Sequence, residues 1–217
     1  ANVMCPSYRA TRDEQHLTRG RANTLRLALT GQLPGALASD EVAAAVKLCV
    51  SCKGCKRECP TGVDMARMKI EVLAARAKTH GIGWRERIIA TMPRWARWAS
   101  LLPPLANARD TVPGLGRLSE MLLGLAAERS LPRFVWNAFH DAELRAPDGR
   151  EREVILLPDA FNRYYEPENL RAAVTVLRAA GYDPAIARPA RGARPLDEGR
   201  TLLSAGLVDA ARAEAKR

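Results

Sequence analysis

The strongest constraint on this chain is a run of four cysteines that ends in a proline. Cys49, Cys52 and Cys55 are separated by two residues each, and Cys59 follows after three more, directly before Pro60. This is the ferredoxin-type spacing for a [4Fe–4S] cluster, in which cysteines at i, i+3 and i+6 turn their sulfurs onto corners of one cube. The fourth cysteine usually ligates another cluster, and the proline ends the loop and starts a helix. The motif indicates one-electron transfer.

Structural zinc and disulfides are the alternatives for these thiols. Zinc sites usually pair two C-x2-C halves across a dozen or more residues, whereas the four thiols here fall within eleven residues. A disulfide framework is disfavoured because the chain has five cysteines, an odd number, and shows no signal peptide. We therefore predict an iron–sulfur cluster, and the reduced thiols predict a cytoplasmic protein.

The fifth cysteine, Cys5, also precedes a proline, Pro6. In two-cluster ferredoxins each Cys-Pro cysteine crosses over to the cluster of the other motif. On that pattern Cys5 completes the cluster of the first three loop cysteines, and Cys59 binds a second cluster whose other ligands lie upstream of Ala1. The alternative is that Cys59 closes a single cluster and Cys5 is spare. The crossover is favoured, and it predicts that the chain is a piece of a longer protein.

Composition favours a mainly helical protein. Hydrophobic residues make up 47% of the 217-residue chain but aromatic residues only 5%, with Ala, Leu and Arg abundant. The net charge of +10 suits an acidic partner, an anionic membrane surface or a nucleic acid. Nucleic acid is the least favoured because the basic residues form no recognisable binding motif. No run of 18 apolar residues predicts a membrane span.

Apolar periodicity and capping residues predict an all-helical ferredoxin-like domain over residues 1–80. Leu17, Leu25, Leu27 and Leu29 mark the apolar side of its first helix, which Gly20 weakens. A second helix delivers the first loop cysteine, and an aspartate caps a third. The predicted helices are Asp13–Thr30, Glu41–Leu48 and Met65–Thr79, the last capped by Asp64.

A helical connector is predicted over residues 81–150. Its first part mixes tryptophan with arginine, a pattern of membrane-interface helices and also of helices that cover a core. The core-covering interpretation is favoured because the stretch is short and contains Pro93. A further helix is predicted over Leu115–Glu128. The mixed segment contains Trp84, Trp95 and Trp98 with Arg85, Arg87, Arg94 and Arg97.

Residues 151–217 predict a partial α/β domain, which follows a polar linker at residues 146–153. A short buried-strand run, a helix and a second strand form one βαβ-like unit with parallel strands. The predicted elements are the strands Val154–Leu157 and Pro184–Ala187 and the helices Pro167–Ala180 and Ser204–Ala215. One such unit is too small to form a complete α/β domain, so we expect the chain to be truncated at its C-terminal end as well as at its start.

Several segments together resemble a known family, and the resemblance covers nearly the whole chain. They are Met4–Glu14, Thr18–Asn23, Cys49–Asp64, Leu101–Asn107, Ser130–Pro132 and Pro158–Pro167. The chain is similar to the C-terminal iron–sulfur part of FAD-linked D-2-hydroxyacid dehydrogenases, which oxidise D-lactate, glycolate or D-2-hydroxyglutarate, and to glycolate-oxidase iron–sulfur subunits. The resemblance implies that a flavin domain or subunit with FAD oxidises the hydroxyacid. Electrons then pass through the clusters to a quinone or another carrier.

The chain departs from this family at one place. Where relatives carry a Cys-Cys-Gly element, the segment Arg194–Arg200 has Asp197 and Glu198 before its glycine. The thiol chemistry of that element cannot be carried over. The two carboxylates suit either a hard-metal site or, as favoured here, ordinary solvated charge. Sequence drift and a redox-silent docking domain explain the replacement equally well.

Basic residues surround both Cys-Pro motifs. Those beside the loop either raise the cluster's reduction potential or form a solvated face. Those near Cys5 either dock the flavin domain or keep the helix soluble. The first group is Lys47, Lys53, Lys56 and Arg57, and the second is Arg9, Arg12, Arg19 and Arg21 with His16.

No pairing of side chains suits hydride or proton abstraction, so we predict an electron relay without catalytic residues. It would be cytoplasmic or lie peripherally at the inner membrane face. Two other functions compete with this prediction. One is an iron–sulfur subunit of a succinate- or heterodisulfide-type reductase, and the other is a zinc-stapled binding module.

Overall fold

A computed structural model describes residues 4–217, which fold into two compact units. The first unit runs up to Gly83 and includes Leu202–Asp209, and the second comprises Trp84–Thr201 with Ala210–Arg217. The described residues form fourteen α-helices and one sheet of two strands. This confirms the predicted mainly helical fold with a small α/β element. The three predicted domains, whose first three residues lie outside the described part, stay a prediction.

The first unit is built from helices that pack around a small apolar core. Its helices are α1 (Pro6–Thr11), α2 (Thr18–Leu29), α3 (Asp40–Lys47), α4 (Gly54–Glu58) and α5 (Met65–His80), with 3-10 turns at Glu14–His16 and Ala36–Ala38. Apolar side chains of α2, α3 and α5 form the core, and two of the cysteines pack against it. The core residues are Leu25, Ala28, Val42, Val46, Met65 and Val72, and the two cysteines are Cys49 and Cys55.

Local capping explains where two of these helices begin. The Ser39 hydroxyl accepts a hydrogen bond from the Val42 N–H at 3.2 Å, and the Asp64 carboxylate accepts one from the Arg67 N–H at 3.1 Å. The predicted bounds of α3 and α5 are therefore confirmed to within one residue.

The predicted single helix from Asp13 to Thr30 is wrong at its start. The Asp13 side chain instead caps the 3-10 turn, and Leu17 is extended with φ −92° and ψ 160°, so α2 begins only at Thr18. Its buried face consists of Arg21, Leu25 and Ala28, spaced at i, i+4 and i+7. Leu29, predicted to face inward, is exposed.

The second unit begins with five short helices. They are α6 (Trp84–Ala90), α7 (Met92–Ala99), α8 (Pro103–Ala106), α9 (Ala108–Thr111) and α10 (Leu115–Leu123). Pro93 lies in the first turn of α7, where its missing N–H costs no hydrogen bond. Gly124 ends α10 in the left-handed conformation with φ 62°, so the predicted extension to Glu128 is wrong.

The βαβ unit predicted from the sequence is present in the second unit. Strands β1 (Glu153–Leu156) and β2 (Asp183–Ile186) pair in parallel, and the helices α11 (Ala160–Tyr164) and α12 (Pro167–Ala179) lie between them in the chain. Val174 of α12 and Ile186 of β2 form a buried apolar core together with Phe139 and Leu144 from the segment before β1.

The predicted helix Ser204–Ala215 is wrong because a glycine divides it. The structure has α13 (Arg200–Ser204) and α14 (Val208–Ala215) instead. Gly206 between them has φ +77°, and a Cβ there would lie 2.4 Å from the backbone carbon of Leu73. A turn in this conformation, against a neighbouring backbone, requires glycine.

Candidate functional site

All five cysteines line one cavity of about 480 Å³ in the first unit. Cys5 caps the N-terminus of α1, Cys49 and Cys52 lie in the loop after α3, Cys55 lies in α4, and Cys59 directly follows α4. The structure therefore brings together every cysteine that the sequence suggested as a ligand. The cavity has the volume of a small cofactor site.

Two left-handed residues shape the cysteine loop. Ser51 and Lys53 have φ values of 55° and 58°, a region that residues other than glycine rarely adopt. They flank Cys52, and α4 begins directly after Lys53. Strained backbone of this kind persists where the surrounding structure fixes it, and it concentrates at ligand-binding sites.

The two prolines that follow cysteines behave differently. Pro6 is the first residue of α1, as the motif predicts. Pro60 lies in a turn instead, and the next helix begins only at Met65, so the expectation that it starts a helix is wrong.

Cys5 has surroundings that favour its thiolate. Burial raises its pKa, but hydrogen bonds from Arg21 and from the backbone N–H groups of Tyr8 and Ser7 outweigh burial, so the pKa is lowered. The Arg21 guanidinium donates to the sulfur over 3.3 Å. In its protonated form the thiol donates to the His16 carbonyl oxygen over 3.4 Å, a contact that favours the neutral thiol. Thiolates are the form in which cysteines bind metal.

Cys59 also has a lowered pKa. A hydrogen bond from the Thr61 hydroxyl, 3.0 Å from the sulfur, is the main cause, and the backbone N–H of Val63 adds to it. Both Cys-Pro cysteines thus reach the cavity in surroundings that favour a ligand. The choice of Cys5 over Cys59 as the fourth ligand stays a prediction.

The residues at the cavity fit an iron–sulfur cluster. Cysteine sulfurs are the soft ligands that such clusters take, and five cysteines line one cavity here. Within residues 4–217 no three Cys, His, Asp or Glu side chains are close enough together to bind one metal ion. An iron–sulfur cube does not require this, because each of its cysteine ligands binds a different iron atom at a separate corner.

Arg21 is placed differently from the prediction. It was grouped with exposed basic residues, yet its side chain is among the most buried in the chain, with 1% of its surface exposed. The signal that identifies its burial is its spacing from Leu25 and Ala28, the i, i+4, i+7 face of α2. Arg9, Arg12 and Arg19 are exposed as expected.

Lys69 is a second cation near the site, and the sequence reasoning missed it. Its ammonium donates a hydrogen bond of 2.6 Å to the carbonyl oxygen of Cys49, just after the end of α3. Burial lowers its pKa, and the charge of Cys49 partly opposes that shift. The four basic residues beside the loop are exposed, which fits the solvated face of the two interpretations that the sequence left open, because solvent screens their charge. They are Lys47, Lys53, Lys56 and Arg57.

The Asp197–Glu198 pair of the second unit is half-buried rather than solvated. Burial raises the pKa of both carboxyl groups, and the charge of nearby Asp159 adds to it. Within the described residues they do not join a third ligand in a metal-binding group. The expectation of fully solvated charge is therefore wrong.

The tryptophans of the mixed segment divide into two kinds. Trp95 packs against Phe134 with ring centroids 6.1 Å apart, as a core-covering residue does. Trp84 and Trp98 are exposed. In the described part of the chain no helix is both long and apolar enough to cross a bilayer.

Comparison with known proteins agrees with the site. Residues 2–63 match the 4Fe-4S dicluster domain family. The chain is 27% identical to a D-2-hydroxyglutarate dehydrogenase of Pseudomonas putida, over 90% of the chain, and 22% identical to one of Escherichia coli, over 84%. It spans 24% and 22% of these relatives, about a quarter of their length. No solved structure matches it.

These matches confirm the resemblance that the motifs indicated. The chain carries a 4Fe-4S dicluster domain and is homologous to D-2-hydroxyglutarate dehydrogenases along most of its length.

Proposed function

We propose that this chain is the electron-transfer module of an FAD-linked D-2-hydroxyacid dehydrogenase. The observation that carries the proposal is the single cavity lined by all five cysteines, within a segment that matches a 4Fe-4S dicluster domain. When bound there, a [4Fe–4S] cluster takes up and releases one electron at a time.

The proposal includes one ligand set among these five cysteines. Cys49, Cys52 and Cys55 hold three corners of the cluster, and Cys5, which the Arg21 guanidinium orients, holds the fourth. Cys59 is available to a second cluster whose other ligands belong to the rest of the protein. Apolar side chains such as Met65, also at the cavity wall, limit access of water.

The substrate and acceptor belong to the larger protein. Similarity to D-2-hydroxyglutarate dehydrogenases favours D-2-hydroxyglutarate as the substrate, with D-lactate and glycolate as the other members of the substrate class. FAD would lie on another domain or on a partner subunit and would receive the electrons of the hydroxyacid. The module would relay them to a quinone or a carrier protein, in the cytoplasm or at the inner membrane face.

Metal analysis of the anaerobically purified chain tests the proposal. We expect about four irons with matching acid-labile sulfide per chain, and an electron paramagnetic resonance signal after reduction with dithionite. A Cys49→Ala/Cys52→Ala variant is the matched control and should retain neither iron nor sulfide. Zinc without sulfide in the parent chain would contradict the proposal and support the zinc-stapled module.

The intact protein distinguishes the proposal from the rival reductases. Anaerobic addition of D-2-hydroxyglutarate, D-lactate or glycolate should reduce the flavin first and then the cluster. Reduction by succinate alone would instead assign the chain to the succinate-type class.

A further inference from the structure

The Arg21 guanidinium is a buried cation that no carboxylate balances. Its side chain is 1% exposed. Among residues 4–217 its hydrogen-bond partners are oxygens of neutral groups and one sulfur. A charge in the protein interior is costly unless an opposite charge lies beside it. The group placed to meet this need is the Cys5 sulfur, which binds a cluster in its thiolate form.

The guanidinium is held in a fixed position by three neighbours. Its Nε donates to the Ala45 carbonyl at 2.8 Å and one Nη to the Ser7 hydroxyl at 2.9 Å, while the other Nη donates to the Cys5 sulfur at 3.3 Å. Ser7 is itself anchored, because its hydroxyl donates to the Leu48 carbonyl at 2.5 Å. One side chain on α2 thereby ties α1 and α3 to the wall of the cysteine cavity.

This placement has an electrostatic consequence for a bound cluster. Reduction of the [4Fe–4S]²⁺ form to [4Fe–4S]⁺ adds one electron, which the flavin supplies in the protein and dithionite supplies in a test. A hydrogen bond to a ligand sulfur and a nearby positive charge both favour the more negative state. Burial keeps water and salt from screening that charge, whereas the exposed lysines beside the loop are screened.

We propose that Arg21 is a positioning residue that serves as the buried counter-cation of the cluster, orienting the Cys5 thiolate and raising the cluster's reduction potential. The proposal rests on the function proposed above. It also assigns Arg21 a role that excludes docking of the flavin domain, since a buried side chain has no surface to offer a partner.

A redox titration of the anaerobically reconstituted chain tests this role. For Arg21→Gln we expect at least a tenfold loss of electron affinity, which for a one-electron couple is a shift of about 59 mV to more negative potential. Arg21→Lys keeps the charge and should recover part of the loss. The matched control is Arg19→Gln, which removes the same charge from an exposed position of the same helix and should change the affinity less than twofold.

Two results would overturn the assignment. One is an unchanged potential in Arg21→Gln with native iron content, and the other is an equal shift in Arg19→Gln. If Arg21→Gln does not fold or load, Ser7→Ala decides the matter, because it loosens the guanidinium without removing its charge. We expect a smaller shift in the same direction, and an unchanged potential there refutes the proposal.

Failure of the underlying function gives a different result. A parent chain that holds no iron and sulfide would overturn both proposals. A parent chain that loads normally but whose potential is insensitive to residue 21 would overturn only the role of Arg21.

Discussion

Gly20 of α2 lies directly against the carbonyl oxygen of Glu14, which a Cβ on residue 20 would approach to 2.0 Å. That oxygen belongs to the backbone of the 3-10 turn, so it cannot move aside as a flexible side chain would. We therefore expect Gly20→Ala to destabilise the first unit by about 1–3 kcal/mol, the usual cost of overpacking. Urea unfolding followed by far-UV circular dichroism measures the loss.

Gly116 in α10 provides the matched control for this substitution. A Cβ there meets its nearest neighbour at 3.8 Å, an ordinary contact. Gly116→Ala should therefore be neutral or stabilise by up to about 1 kcal/mol through helix propensity. Equal effects of the two substitutions would show that the close approach at Gly20 is not the cause.

The helix boundaries show how far the sequence determines the fold. Caps and periodicity predict α3, α5 and the βαβ unit, because these signals lie within each element. The start of α2 and the break at Gly206 depend on contacts with other backbone segments. A local pattern does not contain that information, so both helices were predicted too long.

The choice of the fourth ligand gives a second prediction. If Cys5 completes the cluster, Cys5→Ser should reduce the bound iron and sulfide and alter the reduced-state electron paramagnetic resonance signal. Cys59→Ser should leave the iron content near that of the parent chain. Iron and sulfide assays on the anaerobically reconstituted variants measure both effects.

The opposite ranking would assign the fourth corner to Cys59 and leave Cys5 spare. Thermal unfolding of the metal-free variants serves as the control. Both serines should leave the metal-free chain folded, so that a loss of iron reports on ligation and not on misfolding.

Much of this site could be predicted, but not its polar support. The cysteine motifs predict the candidate ligands, and the structure brings all five to one cavity. Arg21 and Lys69 belong to helices whose sequences contain no motif that indicates a nearby cavity. Their roles arise only where α2 and α5 pack beside the cysteine loop, as the hydrogen bonds to Cys5 and to the Cys49 carbonyl show.

A third prediction concerns Glu214 of α14, which is 5% exposed and pairs with Arg194 and Arg217. Burial raises its pKa, but the two arginines outweigh burial and lower the pKa below the usual 4.5. Between the pKa of Glu214 in the folded chain and its pKa in the unfolded chain, the unfolded chain binds more protons, so the free energy of unfolding rises with pH. The contribution is full above about pH 4.5 and is lost as the pH falls through the folded pKa.

Glu214→Gln should therefore cost about 1.5–3 kcal/mol at pH 7, the range for a hydrogen bond to a charged group. The cost should shrink as the pH is lowered below 4.5. Urea unfolding at neutral and acidic pH measures it, with exposed Glu151→Gln as the control. A cost that does not change with pH would show that packing, and not the carboxylate charge, is responsible.

The fourth prediction tests the proposed contact with a membrane surface. Trp98 is 60% exposed, the Arg97 guanidinium lies 4.3 Å from its ring centroid, and Leu102 and Leu105 follow it with exposed side chains. Exposed Trp and Leu side chains with arginine beside them suit the headgroup region of an anionic bilayer. We expect binding to vesicles of phosphatidylglycerol and phosphatidylcholine, and Trp98→Ala should weaken it several-fold.

Trp136→Ala is the control for that experiment. Trp136 is 67% exposed and lies in a loop that shares a pocket with Pro103 and Pro104 but follows the α6–α8 segment, so its loss should weaken binding less than the loss of Trp98. Vesicle co-sedimentation measures the affinity, and vesicles of phosphatidylcholine alone should bind weakly because they lack the negative charge that attracts Arg97 and its neighbours. Equal binding by the two tryptophan variants, or none by the parent chain, would leave Trp98 and its leucines without a membrane role and direct the search for their partner to a protein surface.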